Sequence, residues 1–204
     1  PFPSLPWLTE ACEGTSIQIG AQNVHWELEG AFTGEVSVQM LKALHVTHVI
    51  IGHSERRAYF AETDEMIGRK VRTALTAGLT PILCVGETLE EKELGKTNEV
   101  VKRQLRTALE DISPVEVGRL ILAYEPVWAI GSGLAATTDD AENVISYIRS
   151  LLPERSQDKV RILYGGSVKP DNIATYMSQA NIDGALVGGA SLDPVQFHRM
   201  LEEV

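Results

Sequence analysis

The sequence predicts an α/β fold: a parallel sheet with helices outside it, closed as a (β/α) barrel. Short apolar runs alternate with amphipathic helical patterns from one end of the chain to the other, the order that builds a parallel sheet covered by helices. No glycine-rich dinucleotide fingerprint follows the first strand, which weighs against the competing closure, an open doubly wound sheet. Residues able to carry chemistry stand instead after several different strands: His53, Glu125, Ser167 and the pair Gly188-Gly189. That spread is how the carboxyl face of a barrel looks in sequence.

Each element follows from local pattern. The chain opens as a loop with a helix near residues 5–13. Residues 16–20 alternate and read as a strand, followed by a Gly-containing polar loop over 21–34. Ser37 is placed to cap a helix reaching Leu44. The run 46–51 is a strand ending at Gly52-His53-Ser54-Glu55-Arg56-Arg57. Thr63-Asp64-Glu65 opens a helix with Met66, Ile67, Val71, Ala74 and Leu75 on one side, ending near Gly78. A strand over 80–85 leads to Gly86-Glu87-Thr88 and helical segments over 89–109. Leu120-Ile121-Leu122 is too short for a helix and reads as a buried strand continuing to Tyr124. Pro126, with no N–H for a ladder, ends it. Thr138-Asp139-Asp140 caps a helix containing Val144, Ile145, Ile148, Leu151 and Leu152. A strand over 160–164 ends at Gly165-Gly166-Ser167, and Pro170 starts a helix to about residue 180. A strand over 185–187 ends at Gly188-Gly189-Ala190-Ser191, and Pro194 opens the last helix.

About six strands result, where a closed barrel needs eight. The helix near 5–13 has no strand before it, so the expected deficit is two strands and one helix at the amino end. No linker or composition break divides residues 1–204, which read as one domain.

Composition narrows the function. Of 204 residues, 18 are basic and 28 acidic, for a formal charge of −10. That balance argues against a general nucleic-acid binder and against binding to an anionic membrane. A small anionic substrate stays open, because backbone N–H groups hold phosphate locally. The two cysteines, Cys12 and Cys84, make neither a metal spacing nor a disulfide framework. No run is long enough to span a membrane and the start is unlike a signal peptide, so a cytoplasmic protein is expected.

Glu125 marks the end of the strand over 120–124, and residues 127–133 beyond it carry an indole and two glycines. Such a loop suits a cover that swings, and a carboxylate beneath it suits a general base. On spacing alone, a solvated glutamate before a tight turn explains the stretch equally well. His53 alone reads as a loop histidine satisfied by nearby backbone.

Several stretches together resemble the triosephosphate isomerase family. They are Gly20-Ala21-Gln22-Asn23-Val24-His25-Trp26 with Gly30-Ala31-Phe32-Thr33-Gly34-Glu35, then Ile50-Ile51-Gly52-His53-Ser54-Glu55-Arg56-Arg57, then Cys84-Val85-Gly86-Glu87-Thr88. The stretch from Ala123 to Gly133 follows, then Leu163-Tyr164-Gly165-Gly166-Ser167-Val168-Lys169-Pro170, and Asp183-Gly184-Ala185-Leu186-Val187-Gly188-Gly189-Ala190-Ser191. The resemblance implies a (β/α)8 TIM barrel that interconverts dihydroxyacetone phosphate and glyceraldehyde 3-phosphate through an enediolate, with no metal or organic cofactor. It implies that Glu125 is the base, His53 the group that polarises the carbonyl, and Glu55 a supporting glutamate. Glu55 serves equally well, on its own, as a partner of Arg56 or in a helix start. Gly131, Ser167, Gly188 and Gly189 match positions whose backbone N–H groups hold the phosphate. Residues 126–133 match a closing lid, held by Tyr164 and Ser167. Thr33 and Glu35 match a protruding loop that packs into a second subunit, so a homodimer or other homo-oligomer is expected. His25, His45, His48 and His198 match no catalytic position.

The resemblance also has gaps. The family's first strand ends in an asparagine and a lysine that reach the site, and no lysine here matches that position; Lys169, next to the Gly165-Gly166-Ser167 loop, belongs to a different element. Leu134-Ala135 differ from the family's lid hinge. Losing a cation from a water-excluded site costs several kcal/mol of transition-state stabilisation. The alternative expectation is therefore a truncated barrel assembly that is non-catalytic or binds phosphate weakly.

Overall fold

Parallel strands with every crossover through helix form the frame of the molecule. The computed structural model describes residues 1–130 and 135–204. Its strands are β1 (Gly20–Ala21), β2 (His48–Ile51), β3 (Thr80–Val85), β4 (Ile121–Tyr124), β5 (Arg161–Tyr164) and β6 (Gly184–Ala185). They lie in chain order, β1-β2-β3-β4-β5-β6, in one curled sheet. All neighbouring pairs are parallel, with His48 opposite Thr80, Ile82 opposite Ile121, and Tyr124 opposite Tyr164. Parallel pairing forces each connection back over one face, and helices occupy it. Among the described residues, β1 and β6 each pair with one neighbour, so the sheet is open between them.

Burial explains the layering. Val49, Ile51, Leu83, Val85, Leu122, Tyr124, Ile162 and Tyr164 are buried. The helix Asp64–Thr76 packs on this layer and buries Ile67, Val71, Ala74 and Leu75. The helix Thr97–Ala108 buries Val100, Val101 and Leu105, and Thr138–Ser150 buries Ala141, Ile145 and Ile148. Alternate residues in β2, His48 and Ile50, stay half-buried on the opposite, concave side.

Helix starts follow the expected chemistry with one shift. Ser37 accepts from the Met40 N–H, and Thr63 from the Met66 N–H, as N-caps should. The helix expected to be capped at 138–140 is capped one residue earlier. Thr137 is extended and accepts from Asp140 N at 3.1 Å, which leaves Asp139 and Asp140 in the first turn, where the helix dipole favours acids. The stretch 89–109 is two helices, Leu89–Glu93 and Thr97–Ala108, separated by Gly95 at φ +68°. Strand ends also differ. The alternation over 16–20 yields pairing only from Gly20, and the strand expected over 185–187 is Gly184–Ala185. Three short helices go beyond the sequence reading: Ser54–Phe60, Pro114–Val117 and Glu154–Gln157. The first of these matters most, because it begins at the site.

Candidate active site

Gly52 follows β2 at φ +76°, a backbone shape that suits glycine, and turns the chain into Ser54–Phe60. His53 becomes the N-cap of that helix, an unusual residue there. Its Nδ1 accepts from Glu55 N at 3.3 Å. A ring nitrogen that accepts carries no proton, so the neutral imidazole holds its proton on Nε2. Nε2 lies 2.9 Å from Glu125 Oε1. The other carboxylate oxygen, Oε2, accepts from Ser54 N at 2.9 Å. One helix start thus orients both groups: its consecutive N–H donors, Ser54 and Glu55, go to Glu125 and His53 in turn.

Electrostatics follows from that geometry. The hydrogen bond to Glu125 holds the His53 imidazole above its ordinary value of 6.5, against the effect of burial, with the charges of Glu125 and Glu55 adding to the rise. Glu125 itself is only 2% exposed. Glu55 is two-thirds exposed, and its carboxylate stands 3.7 Å from His53 Nδ1, so its closer link to the ring is its backbone N–H.

Beneath the pair, the backbone of Glu125 is locked. Its N–H donates to Val85 O at 2.8 Å, and Gly165 N donates to Tyr124 O at 2.7 Å. Gly86 crosses directly behind, and a Cβ built there would stand 1.7 Å from Glu125 O. Gln104 clamps Gly86 from both sides: its Oε1 accepts from Gly86 N at 2.8 Å and its Nε2 donates to Gly86 O at 3.1 Å. Cys84 is a free, fully buried thiol whose pKa is pushed well above its ordinary value by burial and then by the Glu125 carboxylate.

The segment after Glu125 is tied down at its start. Glu87 Oε1 accepts from Trp128 Nε1 at 2.8 Å and from the Tyr124 hydroxyl at 3.1 Å. Burial raises the Glu87 carboxyl, and those two donors partly offset the rise. Lys92 Nζ sits 3.6 Å from the Trp128 ring centroid, within cation–π range. Ser167 Oγ donates to Ala129 O at 2.5 Å. Tyr164 stacks on Tyr176 at 4.3 Å, and the Tyr176 hydroxyl donates to Ala136 O at 2.6 Å.

A cavity of about 950 Å³ opens at the carboxyl ends of the strands, lined by His53, Glu55, Glu125, Ser167, Gly188 and Gly189 together. Gly131 lies outside the described residues. A Cβ added at Gly188 or Gly189 would meet nothing within 4 Å, so the space before that backbone is open to a ligand. Among the described residues, no group of three or more His, Cys, Asp or Glu is placed to hold a metal ion.

Sequence reasoning missed several supporting residues. Local pattern gives Ser54, Gln104 and Glu87 no role, although Ser54 and Glu87 both stand in family-like stretches. A polar network under the cavity also went unseen. Buried Lys70 donates to Asn23 Oδ1 at 2.8 Å and to Glu62, and Arg56 Nε reaches Glu62 Oε1 at 2.5 Å. A lysine at a helix position beside apolar residues gives no sign in sequence of a buried partner.

Parallel strands wrapped by helices, with a proton-transfer pair and glycine turns at their carboxyl ends, define a TIM-barrel enzyme. The family model for triosephosphate isomerase matches residues 1–204. A protein of Carboxydothermus hydrogenoformans named triosephosphate isomerase is 56% identical over 201 residues, covering 97% of this chain and 80% of that protein. Proteins of the same name from Dictyoglomus thermophilum and Clostridium perfringens are 52% and 51% identical, over 99% and 98% of this chain and 83% and 82% of their own lengths. The chain belongs to the triosephosphate isomerase family.

Proposed function

We propose that the cavity interconverts dihydroxyacetone phosphate and glyceraldehyde 3-phosphate. The observation that carries the reading is the buried Glu125 carboxylate 2.9 Å from His53 Nε2. Glu125 takes a proton from the carbon beside the substrate carbonyl, while the Nε2–H of His53 donates to the carbonyl oxygen and stabilises the enediolate. Glu125 then returns the proton to the former carbonyl carbon, whose oxygen becomes a hydroxyl, while the hydroxyl on the carbon first deprotonated gives up its proton and becomes the new carbonyl. Ser167, Gly188 and Gly189, with Gly131, hold the phosphate by backbone N–H groups. Glu55 positions His53. The 204 residues act as one domain, a reading supported by a single apolar cluster that runs from Leu5 to Met200. A coupled isomerase assay tests the activity: turnover of the triose phosphate supports it, and none from folded protein overturns it.

The resting contact between base and electrophile makes a pH prediction. Substrate enters between the two groups and removes the hydrogen bond that raises His53. The acid limb of kcat/KM, which reports free enzyme, should therefore lie above the ordinary 6.5 of the imidazole. The acid limb of kcat should lie lower. Correcting for the substrate phosphate's own ionisation near pH ~6 isolates the effect. Stability follows the same linkage: the contribution of the raised His53 is full below 6.5 and is lost as pH rises through its elevated folded value. Coincident limbs in the two profiles would contradict the pairing.

We infer in addition a homodimer that uses the loop around Thr33 and Glu35. Phe32 at its tip is 42% exposed yet its ring packs 4.7 Å from His25, a rigid apolar projection suited to a partner's pocket. Sedimentation should give twice the 22.3 kDa chain mass. A monomer at every concentration would end this inference. A cytoplasmic location fits the two free cysteines and is checked by cell fractionation.

A further inference from the structure

We propose that Gln104 is a positioning residue for the reaction: its amide takes the place of a strand neighbour behind the base and so fixes where the Glu125 carboxylate stands, a role that rests on the isomerase reading above. The need for it comes from the way the sheet ends. β2 pairs with β3 as far as Ile51 opposite Leu83, then turns away at Gly52 to deliver His53. β3 runs on past that point, and its backbone groups alternate between its two sides. Val85 O and Glu87 O face β4, where they accept from Glu125 N at 2.8 Å and Val127 N at 3.1 Å. Cys84 and Gly86 therefore face the side that β2 has left, and both are buried. Buried peptide groups left without partners there would be costly.

Side chains supply the partners instead. Arg57 Nη2 reaches Cys84 O at 3.4 Å, while its Nε donates to Gly52 O at 2.9 Å, at the point where β2 departs. Gln104 bonds both the N–H and the C=O of Gly86, at 2.8 and 3.1 Å, as the peptide group of an adjacent strand would. Gly86 N can only donate and Gly86 O only accept, so the two bonds also settle which way the amide points. On another side, the main chain of Glu125 crowds Gly86 so closely that a Cβ there would stand 1.7 Å from Glu125 O. Gly86 is thus held between Gln104 and the base, and a shift of one is passed to the other. The clamp is anchored away from the cavity, on a helix that buries Val100, Val101 and Leu105. A group that aligns the base without touching substrate acts on the chemical step, where an ångström counts. Its loss should fall on kcat and leave KM alone.

Gln104→Met keeps the length of the side chain and loses both hydrogen bonds; Val101→Ala, a loss of packing on the same helix, is the comparison. In Gln104→Met, kcat should fall about 10- to 100-fold while KM stays within about twofold of wild type. The His53 imidazole, followed by NMR, should titrate lower than in wild type, because the bond to Glu125 that raises it is no longer held in line. Val101→Ala should unfold at lower denaturant yet keep wild-type kcat and His53 titration, which separates positioning from stability. If Gln104→Met does not fold, Gln104→Asn, one methylene shorter and still polar, carries the same readouts with smaller changes. Wild-type kcat with an unmoved His53 in either folded Gln104 variant overturns the proposal, and so does an equal loss of kcat in Val101→Ala. A wild type that never isomerises sinks the isomerase reading by itself. In that case a lowered His53 titration in Gln104→Met still upholds the clamp on Glu125, and an unmoved one ends it.

Discussion

Replacing Glu125 with Gln is expected to lower kcat about 10³- to 10⁴-fold while the protein stays folded. The amide has the shape of the carboxylate but cannot take a proton from carbon. Its oxygen can still accept from Ser54 N, as Glu125 Oε2 does at 2.9 Å. Its NH2 then faces His53 Nε2, which must accept rather than donate. That requires the other tautomer, whose Nδ1–H points at the Glu55 N–H and breaks the 3.3 Å cap contact. One weak hydrogen bond is lost, for a stability cost of about 1 kcal/mol. An NMR titration supplies an independent reading. With the carboxylate gone, the main cause of the raised His53 pKa is gone, and the ring should titrate lower than in wild type. Activity within tenfold of wild type would remove Glu125 from the role of base, whatever the histidine does.

What the sequence shows and what it hides divide along the range of the interactions. Strand β3 (Thr80–Val85) is readable to the residue because a continuous apolar run between turn signals determines it locally. The caps at Ser37 and Thr63 are readable for the same reason. The helix Ser54–Phe60 is not, because a histidine caps it and its first donors are shared with the site. The same holds for the site itself. Glu125 and His53 are each visible as polar residues at strand ends, and the family resemblance links them. Their contact, like the bond from Ser54 N to Glu125 across 71 residues of sequence, is invisible without the fold. Gln104 is the extreme case. It sits mid-helix, with nothing in its neighbours to indicate that both ends of its amide clamp Gly86. Lys70 likewise sits on a helix face among apolar residues, and only the approach of Asn23 and Glu62 explains a buried ammonium there.

Gly86→Ala should damage activity and stability together, because the new methyl group has no place to go. Its Cβ would lie 1.7 Å from Glu125 O and 2.6 Å from Glu125 C, contacts that no rotamer change relieves since both partners are main chain. Gly86 cannot retreat without breaking both hydrogen bonds to Gln104, inside a buried region where orphaned polar groups are costly. The end of β4 must therefore move, and Glu125 N loses its 2.8 Å bond to Val85 O. We expect a loss of about 3 kcal/mol or more in denaturant unfolding, with kcat down about 10²-fold from misplacement of the base by roughly an ångström. Gly118→Ala is the control, since its Cβ would meet neighbours only at ordinary contact distances of 3.4 Å and beyond. Lost stability with wild-type kcat would mean that the strain is absorbed on the β3 side. In that case Ser54 and His53, rather than the strand behind it, hold the Glu125 carboxylate in place.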